Sequence, residues 1–245
     1  MIFIFYIHFL DTNIVLAVIL PNDESIKESK NYFNIVTHEK YFSNTAYSES
    51  KKVIDKFKTL SMKITVFIQE YLSKNLVNEN TKTKHFNKIK KQFLNQYKNV
   101  EYPLNFKKRK FIKIVDDFFS ENKNTIEKII VCVDDKLILA FKKDIKDSFT
   151  ELRIDLDEFS SNQLRCISVI CKDNNKKQLN KMDIYKEDAI LIDEAFNLTS
   201  TIIDHITFVT FDNGILKVSN EINEKFPYNV HISSPKEILQ NYAII

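Results

Sequence analysis

Two kinds of apolar pattern alternate along this chain. Ile2 to Leu10 is a nearly unbroken run of Ile, Phe and Tyr, which predicts a buried strand ending at Asp11. Asn13 to Leu20 reads as a short helix stopped by Pro21. Asp23 suits the cap of a second helix carrying Ile26 and Tyr32-Phe33 on one side. Lys40 to Ser43 is a short strand, and Asn44 or Thr45 would cap the helix bearing Glu49. The resulting order, β-α-α-β-α, opens an α/β fold.

From about Leu60 to Asn180 the apolar residues recur at helical spacing instead. Ile64, Phe67, Ile68 and Tyr71 form one such set, and Phe111, Ile112, Val115, Phe118 and Phe119 another. Polar breaks at Asn78-Glu79-Asn80 and Glu121 to Asn124 separate several helices. Arg165 to Cys171 fits a strand or a helix, and periodicity does not choose between them. The α/β alternation resumes near Asp183 with a helix from about Tyr185 to Leu198. A strand at Ile206 to Phe211, another helix, a strand at Val230 to Ser233 and a final helix opening at Pro235 follow. Residues 1–60 and 181–245 together have the size of a small α/β domain. Residues 61–180 read as a mainly helical insertion into it.

Composition narrows the field. A 44% hydrophobic content over 245 residues is enough for a real core and argues against extended disorder. One glycine and four prolines supply few tight turns, which disfavours a β-sandwich. Cys132, Cys166 and Cys171 form no CxxC pair, so reduced cysteines in a cytoplasmic protein are expected. The apolar stretch from Met1 to Leu20 resembles a membrane segment superficially. His8, Asp11 and Asn13 interrupt its middle, however, where a charge in lipid costs about 2.5–3.5 kcal/mol. No membrane association is expected from it.

The chemistry sits in four acids set in apolar sequence: Asp11, Glu49, Asp188 and Asp212. A charge drawn from water needs a partner or a metal. Asp188 is the most informative. With Glu187 at zero and roughly 100° per residue, Leu198, Leu191, Ala195, Ile192, Phe196 and Ala189 span an apolar arc with Asp188 in its middle. Glu187, Asp193, Glu194 and Asn197 fall on the opposite arc, where solvated charges belong. A structural hydrogen-bond pair is the alternative role for Asp188. Asp11 ends the first strand, where open α/β sheets bind ligands, although Asp-Thr-Asn also suits a helix cap. Asp212 follows another apolar strand, with Asp-Asn-Gly an equally good turn signal and Thr210 on the same strand face. Glu49 lies at the edge of its helix's apolar face, where a solvated glutamate is common. Thr12, Asn13 and Thr210 are placed to orient carboxylates or waters.

At these residues the chain resembles the PIN domain family of metal-dependent nucleases, which includes the VapC toxins. The matching pieces are Phe-Leu-Asp-Thr-Asn at 9–13, Ser43 with Glu49, Asp188 opening Asp-Ala-Ile-Leu-Ile-Asp-Glu-Ala, Phe-Val-Thr-Phe-Asp at 208–212, and Ser-Pro-Lys-Glu-Ile-Leu at 234–239. The spacings of 38 residues from Asp11 to Glu49 and 24 from Asp188 to Asp212 fit, while the 139 from Glu49 to Asp188 exceed a compact member. The resemblance implies a three-layer α/β/α sandwich around a mostly parallel sheet. It also implies catalytic, metal-ligating roles for Asp11, Glu49, Asp188 and Asp212, with Mg²⁺ or Mn²⁺ as cofactor and RNA as substrate. Asp183 and Glu187 are possible substitutes or outer ligands. An antitoxin-like protein partner and a homodimer belong to the same expectation. A fold retained without chemistry, as an RNA-binding scaffold, is the alternative.

Charge is segregated. Between Thr81 and Lys113 eleven basic residues face Glu101 alone, a net +10, so the rest of a chain of net charge +3 carries −7. Lys88, Lys90, Lys91, Lys107, Lys108, Arg109 and Lys110 are the candidate RNA contacts, drawing affinity from counterion release. The interleaved Phe86, Phe93, Tyr97, Tyr102, Phe106 and Phe111 either stack on bases or, for most of them, pack as a helical inner face. A solvated lysine face, an anionic membrane surface or an acidic protein partner would also suit the patch.

Overall fold

The computed structural model describes residues 7–20, 23–75, 77–97, 108–169, 173–182, 184–201 and 205–242. The elements run β1 (Ile7–Leu10), α1 (Thr12–Ile19), α2 (Ile26–Ile35), β2 (Glu39–Ser43), α3 (Asn44–Leu72), α4 (Lys82–Gln96), α5 (Lys108–Glu121), α6 (Lys123–Cys132) and α7 (Asp135–Gln163). They continue with β3 (Arg165–Ile167), α8 (Asp173–Leu179), α9 (Lys186–Thr201), β4 (Ile206–Val209), α10 (Asn213–Lys217), α11 (Ser219–Lys225), β5 (Val230–Ser233) and α12 (Pro235–Tyr242).

The five strands form one parallel sheet in the order β3-β2-β1-β4-β5. The fold class is therefore α/β. Parallel neighbours need crossover connections, which α1 and α2 supply between β1 and β2, and α10 and α11 between β4 and β5. From β1 the chain builds outward to β2 and β3, then returns to place β4 on the other side. The carboxyl ends of β1 and β4 thus flank the point where strand order reverses, the usual ligand crevice of such sheets. Two backbone bonds carry the ladder past the strand ends: Asp11 N to Val209 O (3.0 Å) and Thr210 N to Ser233 O (3.1 Å).

The chain divides into two compact units, residues 1–52 with 152–245, and Val53–Glu151. In the first, Phe9, Phe42, Phe208 and Phe196 are fully buried, Phe9 and Phe208 stack at 6.0 Å, and Phe196 stacks on Tyr228 at 4.7 Å. In the second, a separate core joins Leu60, Ile64 and Ile68 of α3 to Phe86, Ile89 and Phe93 of α4, Phe111, Val115 and Phe119 of α5, and Ile126, Ile129 and Ile130 of α6.

Several boundaries differ from the sequence expectation. The second unit spans 53–151 instead of 61–180. Residues 165–167 form β3, pairing Tyr41 with Arg165 and Ser43 with Ile167, which ties this stretch to the sheet. As an edge strand with a largely exposed face it carries little apolar signal. The first strand is described only from Ile7, so Ile2 to Tyr6 lie outside the described residues, as does Pro21. Cys132 and Cys166 are exposed free thiols, and Cys171 lies outside the described residues. No helix among the described residues is long and apolar enough to cross a membrane.

His8, buried in β1, places Nδ1 2.6 Å from Tyr32 OH and Nε2 3.3 Å from His38 Nδ1. Burial, reinforced by His38 and Lys40, holds its pKa down to about 3. The unfolded chain binds this proton below about pH 6.5, and the folded one does not until about pH 3. The contribution of His8 to stability is therefore present above pH 6.5 and lost as pH falls towards 3, on the order of 5 kcal/mol over the whole window. Urea denaturation from pH 7 to 4 will show a steeper acid-side loss for the wild type than for His8→Gln. Parallel profiles would mean that the imidazole titrates normally.

Candidate functional site

The strand ends and helix starts of the first unit bring four acids into one electrostatic neighbourhood. Asp11 follows β1, Asp212 follows β4, Asp188 lies in the first turn of α9, and Glu49 lies near the start of α3. Burial raises the Asp11 carboxyl to about 7, with repulsion from Glu49 and Asp212 adding to the shift and hydrogen bonds from Thr210 and the Thr12 backbone opposing it. Asp188 is half-buried and also rises to about 7, first through burial and then through repulsion by Asp11, Asp212, Glu49 and Glu187. No lysine or arginine forms an ion pair with any of the four among the described residues.

A hydrogen-bond network links three of these acids. Thr210 Oγ1 (2.6 Å) and Asn13 Nδ2 (2.6 Å) both donate to Asp11 Oδ2. Thr210 Oγ1 in turn accepts from Asn13 Nδ2 (3.2 Å) and Asp212 N (2.9 Å). Phe211 N donates to Asn13 Oδ1 (3.0 Å), and Thr12 Oγ1 donates to Glu49 Oε2 (2.9 Å). Thr12, Asn13 and Thr210 thus each donate a side-chain hydrogen bond to one of these carboxylates. Thr210→Val keeps the shape but leaves Asp212 N, Asn13 and Asp11 short of a partner. A loss of about 1–3 kcal/mol in urea denaturation is expected. No loss would show that Asp11 is not held through this hydroxyl.

The capping alternatives resolve differently at the two strand ends. Asp11 stands at the N-cap of α1 without a side-chain capping bond. Asp212 does cap α10, its Oδ1 accepting from Gly214 N (2.6 Å) and Ile215 N (3.3 Å). Asp-Asn-Gly therefore starts a helix here instead of making a free turn. A Cβ at position 214 would stand 2.8 Å from Asp212 Oδ1, which is why glycine fits. At α3 neither Asn44 nor Thr45 is the cap: Ser43 Oγ accepts from Ala46 N (3.1 Å).

The opposite arc of α9 corrects the helical-wheel expectation. Asp193, Glu194 and Asn197 are buried, with Asp193 at 0% and Glu194 at 2% exposure. Asn175 Nδ2 on α8 donates to Asp193 Oδ1 (2.9 Å), and Thr45 Oγ1 on α3 donates to Glu194 Oε1 (2.5 Å). Glu194 Oε2 has no partner at hydrogen-bond distance among the described residues, and burial raises this carboxyl's pKa, with Ser43 and Thr45 opposing the shift. Glu194 is a buried acid that sequence reasoning missed, because a wheel shows where a side chain lies on its helix but not what covers it.

In the second unit, Phe86, Phe93 and Phe111 are buried, Phe93 stacking on Phe111 at 6.4 Å, so these rings form the inner face. Lys88 and Lys91 are exposed on α4, with Lys88 Nζ 5.8 Å from the Tyr71 ring centroid. Lys90 is committed to Asp116 at 2.7 Å. Lys108, Arg109 and Lys110 are exposed at the start of α5, with Lys110 over the Phe57 ring at 5.9 Å. Lys107, Tyr102 and Phe106 lie outside the described residues, as does Asp183.

Comparison with family models, with curated proteins and with solved structures gives no match. Among the described residues no three His, Cys, Asp or Glu side chains are gathered as a ready-made metal cage. The donor set itself fits a hard divalent cation. It is all carboxylate, it is partly buried, and its members repel one another with no cationic side chain paired to them among the described residues.

Proposed function

We propose that this chain is a PIN-like, divalent-metal-dependent endoribonuclease whose ligands are Asp11, Glu49, Asp188 and Asp212. The observation that carries the reading is that Asp11 after β1, Asp212 after β4, Asp188 on α9 and Glu49 on α3 act on one another electrostatically while none is ion-paired to a lysine or arginine among the described residues. The reading includes a three-layer α/β/α sandwich and cytoplasmic action on RNA as a processing or toxin-type nuclease. An antitoxin-like partner and a homodimer are part of it too.

A bound Mg²⁺ or Mn²⁺ would supply an acidified water and charge neutralisation at the phosphoryl oxygens. The chain's own residues do the holding. Thr210 and Asn13 fix one oxygen of Asp11, and Thr12 fixes one oxygen of Glu49. The α10 cap engages Oδ1 of Asp212 and so sets the carboxylate's plane. Near neutral pH the carboxyls of Asp11 and Asp188 can each hold a proton.

Labelled single-stranded RNA incubated with the protein tests the reading. Cleavage is expected with Mg²⁺ or Mn²⁺ and none with EDTA. Intact RNA under all conditions, with no effect of either ion on thermal stability, would reject it. The lack of a ready-made three-ligand group among the described residues favours a second reading, a non-catalytic RNA-binding scaffold. Calorimetry that finds RNA binding without divalent-ion binding would select that one.

The exposed Lys88 and Lys91 give RNA a phosphate track. Their joint replacement by Ala should weaken binding and flatten the log–log salt slope by about 1.4, at about 0.7 per lost phosphate contact. An unchanged slope would reduce them to a solvated face.

A further inference from the structure

A groove of about 550 Å³ lies in the first unit between the starts of α2 and α12 and the short helix α10. Its wall is continuous with the site. Phe211 and Asn213, which line it, flank Asp212 in the chain, and Phe211 N is bonded to the Asn13 side chain that holds Asp11. The four acids are not part of its lining, so the groove adjoins the site through the chain at Phe211 and Asn213.

The lining combines three chemistries. The half-buried Phe211 ring and Leu216 offer an apolar face. Lys217 and Lys236 bring exposed ammonium groups, neither ion-paired among the described residues. Two carboxylates also line the groove, but Glu237 is committed to its own helix start, its Oε2 accepting from Ser234 N (2.9 Å) and Ser233 Oγ (3.0 Å). Glu28 remains as an acceptor for base N–H groups. An aromatic face for a base, cations for a phosphate and an edge acceptor make up the chemistry of a nucleotide site. The volume falls within the range of small-ligand pockets and suits one nucleotide, not a duplex.

We infer that this groove is the subsite for the nucleotide adjoining the scissile phosphodiester, its base stacked on Phe211 and its phosphate held by Lys217 and Lys236. The inference rests on the ribonuclease reading, but its test does not need cleavage. Binding of a short fluorescent single-stranded RNA to the full-length protein is measured in EDTA. Lys217→Ala/Lys236→Ala and, separately, Phe211→Leu should each lower affinity at least about 5-fold. Both lysines are exposed, so the double variant remains informative if Phe211→Leu misfolds. Wild-type affinity in the double variant, or equal competition by polyglutamate of matching charge, would overturn the subsite. If the groove variants lose RNA while the wild type never cleaves with metal, the nuclease reading falls and the groove stands as a nucleotide-binding site only. If the wild type cleaves while the variants keep their RNA affinity, the subsite falls and the nuclease reading stands.

Discussion

Asp188→Asn will raise the melting temperature of the metal-free protein at pH 7.5. The folded-state carboxyl is lifted from 3.8 to about 7 by burial and by the neighbouring Asp11, Asp212 and Glu49. Between about pH 4 and 7 the folded protein therefore holds a proton that the unfolded chain has released. Stability present below pH 3.8 is lost as pH rises through 7. Allowing for the part of this side chain that solvent still screens, its ionised form costs about 2 kcal/mol at pH 7.5. The amide mimics the protonated acid and escapes that cost. For a chain of this length the gain corresponds to roughly 4–8 °C. The slope from His8 runs the other way over part of the same window, so the measurement is the difference between variant and wild type at each pH. That difference should be near zero at pH 4 and grow up to pH 7.5. A variant that melts lower than wild type at pH 7.5 would show that Asp188 is a satisfied structural partner and not a repelled charge.

If the proposed metal site is right, Asp11→Asn will abolish the response to Mn²⁺ while leaving the fold intact. Its amide oxygen can still accept from Thr210 Oγ1 and Asn13 Nδ2, so the network at the end of β1 keeps its geometry. What disappears is the charge. Wild-type protein at 100 times the dissociation constant for Mn²⁺ should gain about 2.7 kcal/mol in stability. For Asp11→Asn the gain should be close to zero, and RNA cleavage should fall at least about 100-fold. Circular dichroism and thermal melts with and without Mn²⁺ give the first result, and single-turnover cleavage gives the second. Full activity in this variant would remove the acidic site from the mechanism altogether.

Much of the first unit was legible in the chain. The apolar run ending at Asp11, the strand before Thr210 and Val230 to Ser233 all appear as parallel strands, and Pro235 opens the last helix. Each is a local signal, because a strand buried within a parallel sheet has to be apolar along its length. The acids stood out for the same reason, as charges inside apolar sequence. β3 was ambiguous because an edge strand with exposed residues carries no such constraint. Asp212's capping role and Ser43's at α3 were equally hidden, since neighbouring polar residues compete for a cap on nearly equal terms.

The sequence by itself determined most strands and helices of the first unit, β3 excepted, that the inner strands are apolar along their length, and that Asp11, Asp188 and Asp212 stand in apolar sequence. These are properties of a residue and its near neighbours. Tertiary structure decided which carboxylates feel one another and which faces are covered. Asp11 meets Thr210 across 199 residues, and Glu194 is buried by Thr45 across 149. Solvation and repulsion depend on distances in space, and only the order of strands in the sheet sets those distances.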